Sequence, residues 1–152
     1  KKNAILYNFN FRKVDKLKGE YFDLITVFRF FPNADPLLRQ DAIKYISKKL
    51  KPEGKLIFNN HRNFWSLSYI FFRLLFLGFW QAGMSHSQVV KLLDQAEFKI
   101  ITTYSIGVIP QGETKAILPW FLVKPIEKFN ATFLSKFHKL GYNVIYVCKK
   151  NK

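Results

Sequence analysis

The sequence has 152 residues, with 49% hydrophobic and 18% aromatic residues, one cysteine and a formal net charge of +15. This apolar content is enough for the core of one α/β domain and argues against intrinsic disorder. The single cysteine excludes an internal disulfide and a cysteine-rich zinc site, and it favours a reducing, cytoplasmic setting. The charge favours anionic partners. Because the lysines are spread along the chain without a nucleic-acid-binding motif, no specific nucleic-acid binding is predicted.

The first half of the chain predicts a strand, a helix and a second strand. The nearly continuous apolar run at 21–31 is typical of a strand covered on both faces, and Pro32 ends it. From Leu37 to Leu50 apolar residues recur at spacings near 3.6, which predicts an amphipathic helix. The turn at 52–54 then leads to a strand from Lys55 to Asn59. This order is that of a βαβ unit.

The segment at about 64–80 is hydrophobic on every side except at Ser66, Ser68 and Arg73. It is short for a transmembrane helix, which needs about 20 apolar residues, and its central arginine opposes insertion. Three interpretations stay open: a buried or cap helix, a helix lying in a membrane surface, and a helix that grips an apolar substrate. The tryptophans near its two ends would suit the second interpretation.

The second half of the chain continues the alternation of helices and strands. A serine cap at Ser85 or Ser87 predicts a further helix. Strands are predicted near 99–109 and at 142–149, with a helical segment at about 115–140 between them. We therefore expect a three-layer α/β fold in which the two closing strands form an antiparallel edge hairpin.

Four stretches of the sequence, taken together, form a series with characteristic spacing. They are Phe22 to Asn33, Arg39 to His61, Ser85 to Ile100 and Asn143 to Lys150. In this combination they resemble the class I S-adenosylmethionine-dependent methyltransferases. In that family an acidic residue, matched here by Asp23, opens the fourth strand, and a helix and a Leu-Lys-Pro-Gly-Gly turn lead to the fifth. The resemblance implies a Rossmann-like methyltransferase sheet, S-adenosylmethionine as cofactor and methyl transfer as activity.

The family's glycine-rich cofactor loop has no counterpart in this sequence. No two of its seven glycines are separated by a single residue, whereas the family's Asp/Glu-x-Gly-x-Gly-x-Gly loop requires such pairs. The family's acidic residue for the ribose hydroxyls is also missing. The resemblance therefore implies that residues 1–152 are the C-terminal portion of a single methyltransferase domain, incomplete at the N-terminus and inactive alone. Either a cut from a longer protein or a degenerate gene product would explain this.

The resemblance also assigns candidate cofactor residues. Phe28, Arg29 and Phe30 match the positions after the fourth strand that flank the cofactor in the family. Asn10 matches the loop after the third strand, where a polar side chain meets the adenine amino group, and its amide oxygen could accept that hydrogen bond. Core or edge positions for the two aromatic residues, and a turn position for Asn10, are the alternatives.

The polar stretch after the predicted fifth-strand equivalent carries the clearest chemistry. His61 could be the catalytic general base for a hydroxyl acceptor. Arg62 could bind a carboxylate or phosphate, with Asn60 and Asn63 completing a substrate-binding set. A polar loop with a solvated or capping histidine is the alternative. The three histidines lack a second ligand at i+3 or i+4, so no metal site is predicted.

The function expected from these observations is methyl transfer from S-adenosylmethionine to a small or lipid-linked acceptor. The apolar segment at about 64–80 would then be a cap or an interfacial helical insertion, with peripheral membrane contact as one option beside a cytoplasmic location. The expected partners are the acceptor and the missing N-terminal part of the domain. The alternatives are a non-catalytic membrane-surface module and a partner-binding remnant of a methyltransferase fold.

Overall fold

The computed structural model of the protein describes residues 10, 22–75, 83–107, 119–129, 132 and 141–151. The described strands are β1 (Phe22–Val27), β2 (Leu50–Asn60), β3 (Phe98–Ile106) and β4 (Asn143–Lys150). The described α-helices are α1 (Pro36–Lys49), α2 (Leu67–Leu75), α3 (His86–Asp94) and α4 (Trp120–Phe129), and a 3₁₀ turn spans Phe31–Asn33.

The four strands form one mixed sheet in the order β1-β2-β4-β3. β1 and β2 are parallel, and β4 is antiparallel to both of its neighbours, β2 and β3. β3 therefore runs in the same direction as β1 and β2. The predicted antiparallel pairing of the two closing strands is confirmed. The structure adds that β4 is the inner member of that pair, while β3 lies at the edge of the described sheet.

β1 is shorter than the apolar run at 21–31 predicts. The strand ends at Val27, Arg29 adopts a left-handed backbone with φ of 56°, and the 3₁₀ turn begins at Phe31. Pro32 stands near the start of this turn, where its missing N–H costs nothing. The aromatic residues after Val27 therefore belong to a turn at the end of the strand rather than to the strand itself.

β2 begins earlier than predicted and includes the turn-like residues at 52–54. The backbone of Glu53 is left-handed, with φ of 69°, and the register with β1 shifts at this point. A Cβ at Gly54 would lie 2.8 Å from the carbonyl oxygen of Lys51 and 3.2 Å from that of Phe22. Glycine is therefore favoured here mainly because the carbonyl oxygen of Lys51, in the same strand, leaves no room for a Cβ.

The hydrophobic core lies on one face of the sheet, beneath α1 and α3. Asp35 caps α1, and Ser85 with Gln88 forms a capping box at the start of α3. The rings of Phe58 and Tyr146, from neighbouring strands, stack at 5.0 Å between centroids. The other fully buried members of this core include Phe31, Ile43, Leu50, Leu56, Val89, Leu93, Val144 and Cys148. Full burial of each such aliphatic side chain contributes roughly 1.5 to 3 kcal/mol.

The opposite face of the sheet is covered less well. Leu24, Tyr104 and Ile106 are each about half exposed, and the register places them on the side away from the core. Of the described α-helices, only α1 and α3 contribute to the main core cluster. β1 was expected to be covered on both faces. Among the described residues, Phe22, Ile25 and Val27 of β1 pack against that core, whereas Leu24 on the other side of the strand is half exposed.

Cys148 offers a direct test of this packing. It is fully buried in β4, and burial raises the pKa of its thiol to about 12. Because the thiolate is the reactive form, we expect iodoacetamide at about pH 8 to leave native Cys148 unlabelled and to label it fully in denaturant. Equal rates in the two states would contradict the buried position.

The same raised pKa predicts how stability depends on pH. An unfolded thiol ionises near its ordinary value of about 8.5, whereas Cys148 in the folded state stays neutral up to about pH 12. Below about pH 8.5 the contribution of the buried Cys148 thiol to the free energy of unfolding is fully present. This contribution is lost as the pH rises from about 8.5 toward the folded-state pKa of about 12. Urea titrations of the wild type and of Cys148→Ala at several alkaline pH values should show a shallower pH dependence in the variant.

Candidate functional site

Polar side chains collect at the edge of the sheet where β1, β2 and β3 end. These three strands are parallel to one another, so their carboxyl ends lie on the same side. Ligands of open α/β sheets bind outside this edge, because the loops and helix N-termini that follow the strands meet there. The segments that follow β1 and β2, at 28–33 and 61–66, are therefore the ones to consider for binding and catalysis.

Asn59 joins the ends of three strands. Its Oδ1 accepts a hydrogen bond of 2.7 Å from the backbone N–H of Arg29, which follows β1. Its Nδ2 donates a bond of 3.1 Å to Oδ1 of Asn143, the first residue of β4. The side chain of Asn59 is buried, so both bonds are shielded from water. Asn59 therefore fixes the relative positions of these strand ends; the sequence places it in the polar stretch that ends at Asn63 but does not predict this role.

A second set of bonds connects the loop after β1 with the loop after β2. Asn33 Nδ2 donates to the carbonyl oxygen of Arg29 at 2.6 Å, and Nη1 of Arg62 donates to Oδ1 of Asn33 at 3.1 Å. Arg29 is exposed and Arg62 is partly buried. Two guanidinium side chains thus start from the same edge, where they could bind a carboxylate or phosphate.

The residues directly after β2 are mostly buried. Nδ2 of Asn60 donates to the carbonyl oxygen of Met84 at 2.7 Å, while its Oδ1 has no hydrogen-bond partner in the described part of the chain. His61 is only 5% exposed, and neither ring nitrogen has access to solvent. Nδ2 of Asn63 donates to the carbonyl oxygen of Gly141 at 3.1 Å, and its Oδ1 accepts from the backbone N–H of Trp65. The hydrogen bonds of Asn60 and Asn63 therefore fix the position of the loop that follows β2.

His86 and Tyr146 form a second polar contact near this edge. Nδ1 of His86 lies 3.0 Å from the Tyr146 hydroxyl oxygen, and the two rings stack at 5.8 Å between centroids. Burial raises the pKa of Tyr146, so its hydroxyl stays protonated over the working pH range. His86 stands at the start of α3, as the sequence predicted. The contact between His86 and Tyr146 therefore links the start of α3 to β4.

The two aromatic residues predicted for the cofactor site lie in different environments. Phe28 is 57% exposed at the carboxyl end of β1. Phe30 is partly buried, packs against the core and meets the ring of Phe31 edge to face at 5.4 Å. An exposed ring can stack on a planar ligand, whereas a ring packed on the core cannot do so without leaving it. Phe28 is thus the better placed of the two for ligand contact.

The backbone is similar to those of several solved methyltransferases. A SAM-dependent methyltransferase of Thermotoga maritima, described as a possible histamine N-methyltransferase, matches with a TM-score of 0.58 and 17% identity over 91% of this chain and 61% of that one. The chain has the fold of a SAM-dependent methyltransferase. A SAM-dependent methyltransferase from Archaeoglobus fulgidus is also similar, with a TM-score of 0.53 and 13% identity over 86% of this chain and 60% of that chain. One from Methanosarcina mazei has a TM-score of 0.52 and 18% identity over 86% of this chain and 59% of that chain.

The methyltransferase fold predicted from the sequence is thereby confirmed, at identities that speak for the fold alone. The chain spans about three fifths of the length of these solved methyltransferases. Comparison of the sequence with protein-family models gives no match, and comparison with curated protein sequences gives no significant match.

The methyltransferase fold brings most of the predicted site residues to one edge. The residues after β1 and those after β2 are neighbours there, linked through Asn33 and Asn59. Asn10 is exposed, but the residues on either side of it lie outside the described ranges, as does His138. In the described part of the chain no three His, Cys, Asp or Glu side chains are grouped as metal ligands.

α2 follows this edge directly. Ser66, which is fully buried, accepts a hydrogen bond from the backbone N–H of Tyr69 at 3.1 Å and so caps the helix. The helix occupies 67–75, within the apolar segment predicted at about 64–80. Among the described residues no helix has the length and apolar character needed to span a membrane.

Proposed function

We propose that this chain supplies part of the active site of an S-adenosylmethionine-dependent methyltransferase acting on a small or lipid-linked acceptor. The observation that carries the proposal is the hydrogen-bonded edge of the sheet, where Asn59 holds the ends of β1, β2 and β4 together within a methyltransferase fold. Methyl transfer needs reactants held in line more than it needs reactive side chains. A rigid edge with few catalytic groups suits that requirement.

We propose that residues after β1 hold one side of the cofactor. The exposed ring of Phe28 offers a surface on which an adenine could stack, and the exposed guanidinium of Arg29 could pair with a carboxylate. S-adenosylmethionine would supply the methyl group from its sulfonium. The sequence has no Gly-x-Gly pair, so the close backbone approach made by the family's glycine loop has no source within these 152 residues. We therefore propose a partial cofactor site, with Asn10 as a further candidate.

On the acceptor side, His61 and Arg62 are the residues that we propose to act on the substrate. Arg62 reaches toward the loop after β1 through Asn33, so it lies between the two loops of the edge. His61 follows β2 directly, and both of its ring nitrogens are buried, so a role as base requires the loop after β2 to open toward the acceptor. Asn60 and Asn63 would position this pair through their bonds to Met84 and Gly141.

A lipid-linked acceptor is supported by the apolar residues of α2, which begins at the same edge. Its exposed side chains could cover the apolar part of such an acceptor while the polar part reaches Arg62. A small acceptor would need only the polar edge. Comparing methyl transfer to short-chain and long-chain versions of one acceptor would separate these two cases.

The partial cofactor site can be tested by NMR on the uniformly labelled chain. We expect S-adenosylmethionine to bind with a dissociation constant weaker than about 100 µM, because only one side of the cofactor is held. The amide signals that shift should be those of 28–33 and 61–63. Phe28→Ala should remove these shifts, whereas Leu37→Ala, at an exposed position on α1, should leave them unchanged. Micromolar or tighter binding, or shifts confined to other residues, would contradict the proposal.

A further inference from the structure

α2 turns its apolar stripe away from the protein. Leu67, Ile70, Phe71 and Leu74 occupy i, i+3, i+4 and i+7, which is one face of a helix, and each is between 39% and 73% exposed. Tyr69, on the other side of the helix, is the buried residue. A helix that packs onto its own domain normally buries such a stripe. α2 presents it to the surroundings instead.

α4 shows the same arrangement independently. Phe121, Leu122, Ile126 and Phe129 lie on one broad face of the helix and are between 46% and 72% exposed. Val123 is the buried residue of this helix, and it lies outside that exposed face. Two helices far apart in the sequence thus each expose large apolar side chains, which is unusual for a monomeric soluble surface.

Both segments leave the sheet at one corner. The backbone N–H of Asn63, just before α2, donates to the carbonyl oxygen of Tyr142 at 3.1 Å. The backbone N–H of Tyr142 in turn donates to the carbonyl oxygen of Gly107 at 3.1 Å. Gly107 and Gly141 are the described residues that bracket the segment containing α4. The stripes of α2 and α4 therefore belong to segments anchored within hydrogen-bonding distance of one another.

The charges on these two helices are mostly positive, with Glu127 of α4 as the one acidic residue in their sequences. Arg73 lies on α2, and Lys124 and Lys128 lie one turn apart on α4, beside its exposed apolar face. The sequence has no acidic residue at 54–93 and none at 128–152. A second copy of a chain with a net charge of +15 would be repelled, whereas an anionic surface would be attracted.

We propose that the exposed faces of α2 and α4 form a lipid-docking surface that binds the headgroup region of an anionic bilayer. The stripes of the two helices enter the boundary between headgroups and acyl chains, with Trp120 at the interface. Arg73, Lys124 and Lys128 stay at the level of the lipid phosphates and pair with them. The α2 part of this surface consists of the same side chains that we propose to cover a lipid-linked acceptor, but binding to a bilayer requires neither cofactor nor acceptor and can be measured separately.

The test is sedimentation of the chain with vesicles of phosphatidylcholine alone and of phosphatidylcholine mixed with phosphatidylserine. We expect binding to the anionic vesicles to be at least about 10-fold tighter, and to weaken as salt screens the charges. Ile70→Ser with Leu74→Ser, and separately Phe121→Ser with Phe129→Ser, should each reduce the partition coefficient about 10-fold or more. These side chains are exposed, so the fold should persist, as a circular dichroism melt would verify.

A charge-reversed variant provides a second measurement that leaves the apolar stripes intact. Lys124→Glu with Lys128→Glu should lose the preference for anionic vesicles. The matched control is Leu37→Ser on α1, which is 67% exposed but lies outside the docking surface and should bind within about twofold of wild type. Unchanged binding in both serine variants would overturn the proposal. So would size-exclusion data showing that the stripes join two copies of the chain, with the serine variants converting a dimer to monomers.

Discussion

Replacing His61 with alanine is expected to slow methyl transfer by about 10²- to 10⁴-fold in a protein whose cofactor site is complete, if this histidine takes a proton from the acceptor. The residue follows β2 at the carboxyl edge of the sheet, where acceptor and cofactor would meet. Cofactor affinity should change little, because the proposed cofactor contacts are made by the loop after β1. The measurement is transfer of a labelled methyl group under single-turnover conditions.

The pH profile separates a base from a structural histidine. If His61 acts as the base, the wild-type rate should fall on the acid side of the profile, where a protonated imidazole can no longer accept a proton from the acceptor. If His61 only supports the loop, the loss should be under about 10-fold and independent of pH. The control is His86→Ala, which removes the contact with Tyr146 and should lower thermal stability without changing the pH profile. A pH-independent loss at His61 would rule out proton transfer.

A large effect on stability is expected at Gly141, which lies shortly before β4. A Cβ there would contact Oγ of Ser105 and would lie 2.9 Å from the backbone nitrogen of Ile106. That backbone belongs to β3 and cannot retreat without breaking its pairing with β4. We expect Gly141→Ala to lower the free energy of unfolding by about 3 kcal/mol or more, measured by urea denaturation.

Gly107→Ala is the matched control for this substitution. Gly107 has a left-handed backbone with φ of 73°, and a Cβ there would meet only Cβ of Tyr142, at 3.7 Å. The cost should therefore be that of the backbone conformation alone, about 1 to 2 kcal/mol. A smaller loss at Gly141 than at Gly107 would show that β3 does not pack against Gly141 as described.

The central elements of the fold could be predicted because apolar patterns along the chain report local burial. α1 begins and ends within one residue of its predicted bounds, and β4 is displaced by one residue. The end of β1 could not be predicted in this way. Phe30 and Phe31 look like strand residues, but the left-handed backbone at Arg29 turns the chain before them. A single φ angle is not encoded in hydrophobicity.

The location of the candidate site was predicted from the sequence, but its hydrogen bonds were not. Polar residues after β1 and β2 indicated the edge, since strand ends in an α/β sheet meet there. The bonds that Asn59 makes to Arg29 and Asn143 could not be foreseen, because they join residues far apart in the sequence and depend on strand register. The sequence also left open which side of the apolar segment at 64–80 is buried. The structure shows that Tyr69, not the apolar stripe, lies inside.

The position of β4 has a consequence for synthesis of the protein on the ribosome. β1, α1 and β2 can pack together as they emerge. Among the described strands, β3 pairs only with β4, so this pairing cannot form until 143–150 have left the exit tunnel. Until then the nascent chain carries β3 as an unpaired, partly apolar strand. Such a strand is a template for association with other chains. Closure of the sheet is thus a late event in biogenesis, when chaperone binding would matter most.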